Sequence, residues 1–259
     1  MNLIEKYSYN IKLIILIFSI ILTGSCEHIL IPLIAMSFES LYFVLIVTSI
    51  QGFLNYFCIL IIVYLSCKNQ NKIRWNSKTI LTILLSGFLN ALMSIAFLYS
   101  ANPTRTPIII QSIFLGLVVF PTVIFRKLLL KKEITYNIYY IIPSIVLLLM
   151  SVVIASLPLY NEINLNNAYW IFGYLAGILL LSLDGVMQER YIVITKDESI
   201  LNKLFLATSV SFVQIFSLLS LFWIEYLIGY SDKPFESLLN CLRIYFSSIQ
   251  NVLFLQFFI

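Results

Sequence analysis

Charge is what this chain has least of. Only 11% of its 259 residues are Asp, Glu, Lys or Arg, where a soluble domain carries about 25%. With 61% hydrophobic residues and a mean hydropathy of +0.98, that scarcity excludes a water-soluble fold, because no soluble core could hide so much apolar surface. A single histidine, His28, confines any Ser/His arrangement to one place, and no metal-ligand spacing is visible. With eight glycines and no glycine-rich phosphate loop among them, nucleotide chemistry has no motif to rest on. No soluble domain and no low-complexity tract interrupt the chain, and nothing points to a nucleic-acid partner. An enzyme is therefore not expected, nor is a bound cofactor or metal.

What is present is a series of apolar runs. Crossing a hydrocarbon layer of about 30 Å takes about 20 helical residues. Seven runs have that length, at 13–36, 41–66, 79–100, 107–126, 138–159, 169–190 and 203–229, and an eighth begins near Ser247. In lipid the backbone must satisfy its own hydrogen bonds, and runs this long and continuous do so as helices rather than barrel strands. The expected fold class is an all-α polytopic membrane protein. The start of the chain, with Lys6 and Lys12 before Leu13–Phe18 and then Thr23–Cys26, has the outline of a signal peptide. The apolar run continues through Ile29–Ala35, however, which makes a retained first span the better reading.

The basic residues set the expected orientation. Thirteen of the sixteen Lys and Arg fall before span 1, between spans 2 and 3, after span 4 or after span 6. Only Arg105, Lys233 and Arg243 lie on the other side, so the positive-inside rule places the N-terminus in the cytosol. That orientation argues against a seven-helix receptor. Cys26, Cys58 and Cys67 lie in or at the end of spans and are expected as small core residues. Cys241 falls in the last loop, on the non-cytosolic side, where a disulfide is chemically possible but no partner cysteine is present. In that loop Phe235, Leu238, Leu239 and Leu242 recur at helical spacing, giving either a short amphipathic interfacial helix or an ordinary connection.

Polar groups within spans are the candidate site residues, since ionisable side chains at bilayer depth usually face a bundle interior or a watery cavity. Glu27 and His28 in span 1 could pass a proton between them or simply bond neighbouring helices together. Asp184, with Gln188-Glu189-Arg190 after it, is open to a capping, interfacial or transport role, and Glu225 is expected to be exposed at the membrane interface. The densest cluster is Asn102-Pro-Thr-Arg-Thr-Pro107 with Gln111 and Ser112. Pro103 and Pro107 constrain the turn into span 4, and Thr106, Gln111 and Ser112 could bond a solute or glue helices. A faint echo between Phe43–Phe53 of span 2 and Phe205–Phe216 of span 7 suggests a repeat of five spans. Span 1 leaves the cytosol and span 6 returns to it, so such a repeat would be inverted.

Thr104-Arg-Thr-x4-Gln111-Ser112, followed by an apolar span with Pro121 and a basic exit at Arg126–Lys132, resembles the fourth span of chloroquine-resistance-transporter-like proteins of the drug/metabolite transporter superfamily. Ser211–Gln214 and the loop Asp232–Phe246 with Cys241 are similar to the corresponding family segments, and the resemblance covers residues 90–258. It implies a ten-helix inverted five-plus-five repeat with a central cavity. Residues 1–160 would form the first repeat, and 161–259 a partial second one of spans 6 and 7, the loop and the start of span 8. It also implies export of small solutes (amino acids, short peptides, thiol peptides or drugs) by alternating access, often with proton coupling, in a vacuolar, lysosomal or plastid membrane. The expected solute wall comprises Thr104, Arg105, Thr106, Gln111 and Ser112, with Asp184 or Gln214 opposite, and Glu27 and His28 would couple protons. Two features depart from the family pattern. Ile109-Ile110 stands where smaller, more polar residues are expected, and on the family's arithmetic the chain holds about seven complete spans, so loop cysteines able to pair with Cys241 would lie beyond Ile259. A transport-incompetent fragment and a nucleotide-sugar or metabolite exchanger of the same superfamily remain the alternative expectations.

Overall fold

A computed structural model describes residues 41–66, 76–102, 105–131, 146, 150, 168–229 and 231–247. Every regular element among the described residues is helical: α1 (Leu41–Ser66), α2 (Ser77–Ser100), α3 (Ile108–Leu117), α4 (Val119–Leu130), α5 (Ala168–Thr195), α6 (Ile200–Ser220), α7 (Ile224–Leu227) and α8 (Pro234–Ser247). Five segments are long and apolar enough to cross a membrane: Leu41–Leu65, Ser77–Ser100, Ile113–Leu130, Tyr169–Thr195 and Ile200–Ser220. Their outward side chains are apolar as well, with Ile62 63%, Leu65 77%, Leu128 66% and Phe172 67% exposed. Water would not tolerate such surfaces at this density, whereas lipid would. The chain is a multi-pass membrane protein. The expected first and eighth spans lie outside the described residues, as does the fifth but for helical Val146 and Met150.

The segment Leu45–Ile224 forms one compact unit. Its organising helix is α2, which packs on α5 and on α6, while α3 and α4 lie against α5. Local chemistry starts and stops these helices. Thr79 Oγ1 accepts from the amide of Asn76 at 3.0 Å and donates to its carbonyl at 2.6 Å, fixing the first turn of α2. Ser199 Oγ accepts from Asn202 N at the start of α6. Between α2 and α6 there is almost no space: a Cβ on Gly87 would lie 2.5 Å from Val213 Cβ and 2.9 Å from the carbonyl oxygen of Val210. Ile83, Tyr191, Leu206 and Val210 close the core beside that crossing. Gly177 serves α5 similarly, lying under the ring of Phe97, which a Cβ would meet at 2.8 Å.

Span 4 is tightened rather than broken where α3 meets α4. Pro121 has no amide to give the carbonyl of Leu117, four residues earlier, and Val118 N bonds Leu115 O at 3.3 Å in a single tight turn, while Val118 keeps helical φ and ψ and its carbonyl accepts from Thr122 N at 3.2 Å. Ser182 of α5 also donates to the Val118 carbonyl at 3.1 Å, so a side chain from the neighbouring helix steadies this turn. At the far end of α4, Arg126 pairs with Glu189 of α5 at 2.7 Å. Both are partly exposed, and such a pair contributes at most about 1 kcal/mol.

Helix α5 runs to Thr195, five residues past the end expected from hydropathy, and stops at Lys196, whose φ is +54°. That left-handed conformation costs a side chain about 1 kcal/mol relative to glycine. Replacing exposed Lys196 by Gly should raise stability by about 0.5 kcal/mol once the added chain freedom of glycine is subtracted. The check is the melting temperature in detergent, and a fall would show that the Lys196 side chain carries a compensating contact.

Two expectations are corrected near the end of this unit and in the next. Span 7 ends at Ser220 rather than 229, because Leu221 N turns back to Ser217 O and Leu218 O and a new turn starts at Ile224. In the second unit, of which residues 41–44, 225–229 and 231–247 are described, Glu225, expected to be exposed, is 1% exposed. Its Oε1 accepts from the amide of Tyr42 at 3.4 Å, in the first turn of α1, where amide donors are unsatisfied and a carboxylate is favoured. The last loop is helical over Pro234–Ser247, with Phe235 and Leu239 exposed and Cys241 buried. In the first unit, Cys58, expected in a core, is exposed on the apolar outside of α1.

Candidate functional site

Asp184 lies two residues past the midpoint of the 27-residue segment Tyr169–Thr195 and is 4% exposed. Buried within α5 rather than at its end, it caps neither terminus of that helix. Its Oδ2 accepts from Gln188 Nε2 at 2.9 Å, one turn further along α5, and its Oδ1 accepts from Ser86 Oγ of α2, which is itself fully buried. Among the described residues no cation pairs with it. A charge at this depth without a partner costs at least about 2.5 kcal/mol, so its retention calls for a use.

The cluster leading into α3 is tied together differently. Gln111 Nε2 donates to the carbonyls of Ala101 and Thr106, both at 2.7 Å, so both amide hydrogens of this side chain serve to close the turn. Arg105 Nη1 donates to Tyr99 O at 2.6 Å, and its guanidinium stacks 4.1 Å over the Trp170 ring. The hydroxyl of Thr106 is fully buried and has no hydrogen-bond partner among the described residues. Burying a hydroxyl unpaired costs about 1–3 kcal/mol, which sets Thr106 apart from Arg105 and Gln111, whose polar groups are engaged.

The expected site residues therefore stand at three levels along α2. Asp184 is held at Ser86, Gln214 donates to Ser94 Oγ at 3.2 Å, and Arg105 reaches the carbonyl of Tyr99. At 1.5 Å per residue these levels are about 12 and 20 Å apart when measured from Ser86. Arg105, Thr106 and Gln111 come together, whereas Asp184 and Gln214 each sit apart. Thr104, Glu27 and His28 lie outside the described residues, and Ser112 is placed only by its backbone in α3. None of Arg105, Thr106, Gln111, Asp184 and Gln214 lines the groove of about 320 Å³ between α1, α2 and α6, whose walls include Phe53, Phe57, Ile83, Leu84, Phe212 and Val213. Phe53 packs on Phe212 there, with ring centroids 5.7 Å apart.

No family model, curated protein or solved structure matches the chain. The chemistry has to be read from its own residues. Sequence reading missed Ser86, Ser94 and Ser182, each of which bonds an adjacent helix. The signal available for the first was Ser86-Gly87, two small residues together in an apolar run, which marks a close helix crossing.

Proposed function

We propose that the protein is a secondary transporter that moves small organic solutes across an organelle membrane by alternating access. The observation that carries this reading is Asp184, a carboxylate buried in the middle of a spanning helix that pairs with no cation among the described residues. Structural glue needs only neutral donors and acceptors, as Ser182 and Gln214 illustrate, whereas intramembrane carboxylates serve substrate and ion pathways by default. Support also comes from the buried Thr106 hydroxyl at the start of α3, which has no hydrogen-bond partner among the described residues. Membership of the chloroquine-resistance-transporter-like family, the ten-helix inverted repeat, a cytosolic N-terminus and a vacuolar or lysosomal membrane belong to the same proposal and rest on the sequence resemblance and the distribution of basic residues.

The test is uptake of labelled amino acids or glutathione into acid-loaded vesicles containing the full chain. Gradient-dependent uptake above that of empty vesicles is expected, and Thr106→Val, which keeps the shape and removes the hydroxyl, should lower it about tenfold, the equivalent of about 1.4 kcal/mol. A hydroxyl serving only the fold would instead leave uptake unchanged and the melting temperature equal or higher, because removing an unpaired buried polar group relieves its desolvation. Uptake no greater than in empty vesicles for both solute classes would overturn the carrier reading.

A further inference from the structure

We infer that Asp184, rather than the Glu27-His28 pair, is the group through which this protein binds and releases a proton, with Ser86 as its positioning residue across the α2–α5 crossing. The inference deepens the carrier reading and rests on it for its physiological meaning, although proton binding can be observed without transport.

The pair Asp184–Ser86 is built to keep a partner in both protonation states. When the carboxylate is ionised, Ser86 Oγ donates to Oδ1 and Gln188 Nε2 donates to Oδ2, as the structure shows. When a proton is bound at Oδ1, the direction of the first bond reverses. The new O–H donates to Ser86 Oγ, because a hydroxyl both donates and accepts, while Gln188 continues to donate to Oδ2. A lysine or threonine-methyl environment could not do this; a serine can. No heavy atom has to move for the proton to arrive or leave, and no co-reactant is needed, since one proton is taken up and one is given back.

Among the described residues no other group fixes the charge. Four of the described helices, α2, α3, α4 and α6, lie against α5. From α2 the group facing Asp184 is Ser86, and the titratable residues of that helix, Lys78 and Tyr99, lie two turns before and more than three turns after it. Helix α3 has no titratable residue. From α4, Arg126 is engaged with Glu189, five residues beyond Asp184, and Lys127 is exposed. From α6, Lys203 is exposed, and on α5 itself Tyr191 is bonded to Asn202. None of these hydrogen bonds or ion-pairs with Asp184. A carboxylate locked to arginine could not cycle, whereas one held by two neutral donors can. Because Ser86 belongs to one helix and Asp184 to another, protonation exchanges a charge-assisted hydrogen bond across a packed helix crossing for a weaker neutral one, which loosens the kind of element whose rearrangement opens one side of a carrier and closes the other.

The test is infrared spectroscopy of the full chain in lipid, titrated from acid to neutral pH, where a protonated carboxyl has a C=O stretch separate from the amide bands. The expected result is a carboxylic band that disappears as pH rises, is absent in Asp184→Asn, is shifted in Ser86→Ala, and is unchanged in Glu189→Gln. Asp184→Asn is nearly isosteric, and its helix content by circular dichroism should equal that of the parent, which separates loss of the group from loss of the fold. If every titrating carboxylic band survives in Asp184→Asn, or if the band responds to sodium concentration and not to pH, the proposal is overturned. The two readings fail separately: a titrating Asp184 band without solute uptake leaves the proton site standing and the carrier reading fallen. Gradient-driven uptake that persists in Asp184→Asn leaves the carrier reading standing and the proton site fallen.

Discussion

Replacing Gly87 by valine is expected to lower the stability of the helix bundle by about 3 kcal/mol or more, with alanine at the same position costing about 1–3 kcal/mol. The reason is geometric. A Cβ at residue 87 would lie 2.5 Å from Val213 Cβ and 2.9 Å from the backbone oxygen of Val210. The first contact could be eased by turning a side chain, but the second is with main chain, so α2 and α6 would have to separate. Separation weakens the dispersion contacts of Ile83, Leu206 and Val210 across the same crossing. In lipid no hydrophobic force compensates, because the tails are as apolar as the side chains, and helix association depends on close packing. For a chain of this size the valine variant should melt about 6–12 °C below the parent, taking about 2–4 °C per kcal/mol. Gly185 provides the control: a Cβ there meets nothing within 4 Å, and alanine in a helix interior is favoured over glycine by about 1 kcal/mol. Gly185→Ala should therefore melt at or above the parent temperature. Equal melting of Gly87→Ala and the parent would mean that α2 and α6 do not approach as closely as described.

The contrast between these two glycines shows what hydropathy can and cannot convey. The length of an apolar run is a one-dimensional property, and it located Leu41–Ser66 to the residue and the start of the Ser77 helix to within two. Helix ends depend on where carbonyls and amides find partners. Leu221, Phe222 and Trp223 remain apolar while Leu221 N turns back on Ser217 and Leu218, so the break at Ser220 leaves no trace in composition. Pro121 was visible, and its effect on the carbonyl of Leu117 follows from the missing amide alone. Which helix a polar group meets was not legible. The partner of Asp184 within α5, Gln188, stands at i+4 and could be read, but Ser86 is 98 residues away. Glu225 reads as interfacial because it lies near the non-cytosolic end of the apolar run 203–229, yet it is buried against an amide 183 residues away. Gln111 looked available to a solute until both amide hydrogens were found on carbonyls five and ten residues back, an arrangement set by the turn angles around Pro107.

The second large effect is expected at the turn between α5 and α6, where one side chain satisfies two others and a backbone carbonyl. Asn202, 3% exposed, accepts from the Tyr191 hydroxyl at 2.9 Å and donates to Thr195 Oγ1 at 3.1 Å and to the carbonyl of Asp197 at 2.7 Å. Leucine has almost the same size and none of these functions. Asn202→Leu would strand the hydroxyl of Tyr191, which is 1% exposed, and the Asp197 carbonyl, while Thr195 retains its own bond to Tyr191 O. At about 1–3 kcal/mol for each of the two groups left unsatisfied, the expected loss is about 2–6 kcal/mol, comparable to that at Gly87 but of different origin. Tyr191→Phe in the same background tells the two apart. Removing the stranded hydroxyl should restore about 1 kcal/mol or more, since deleting both partners of a buried bond costs far less than deleting one. The measurement is a double-mutant cycle of melting or denaturant midpoints in detergent. Simple additivity of the two substitutions would show that the tyrosine and the asparagine do not depend on each other, and that the turn is held by its remaining cap, Ser199 on Asn202 N.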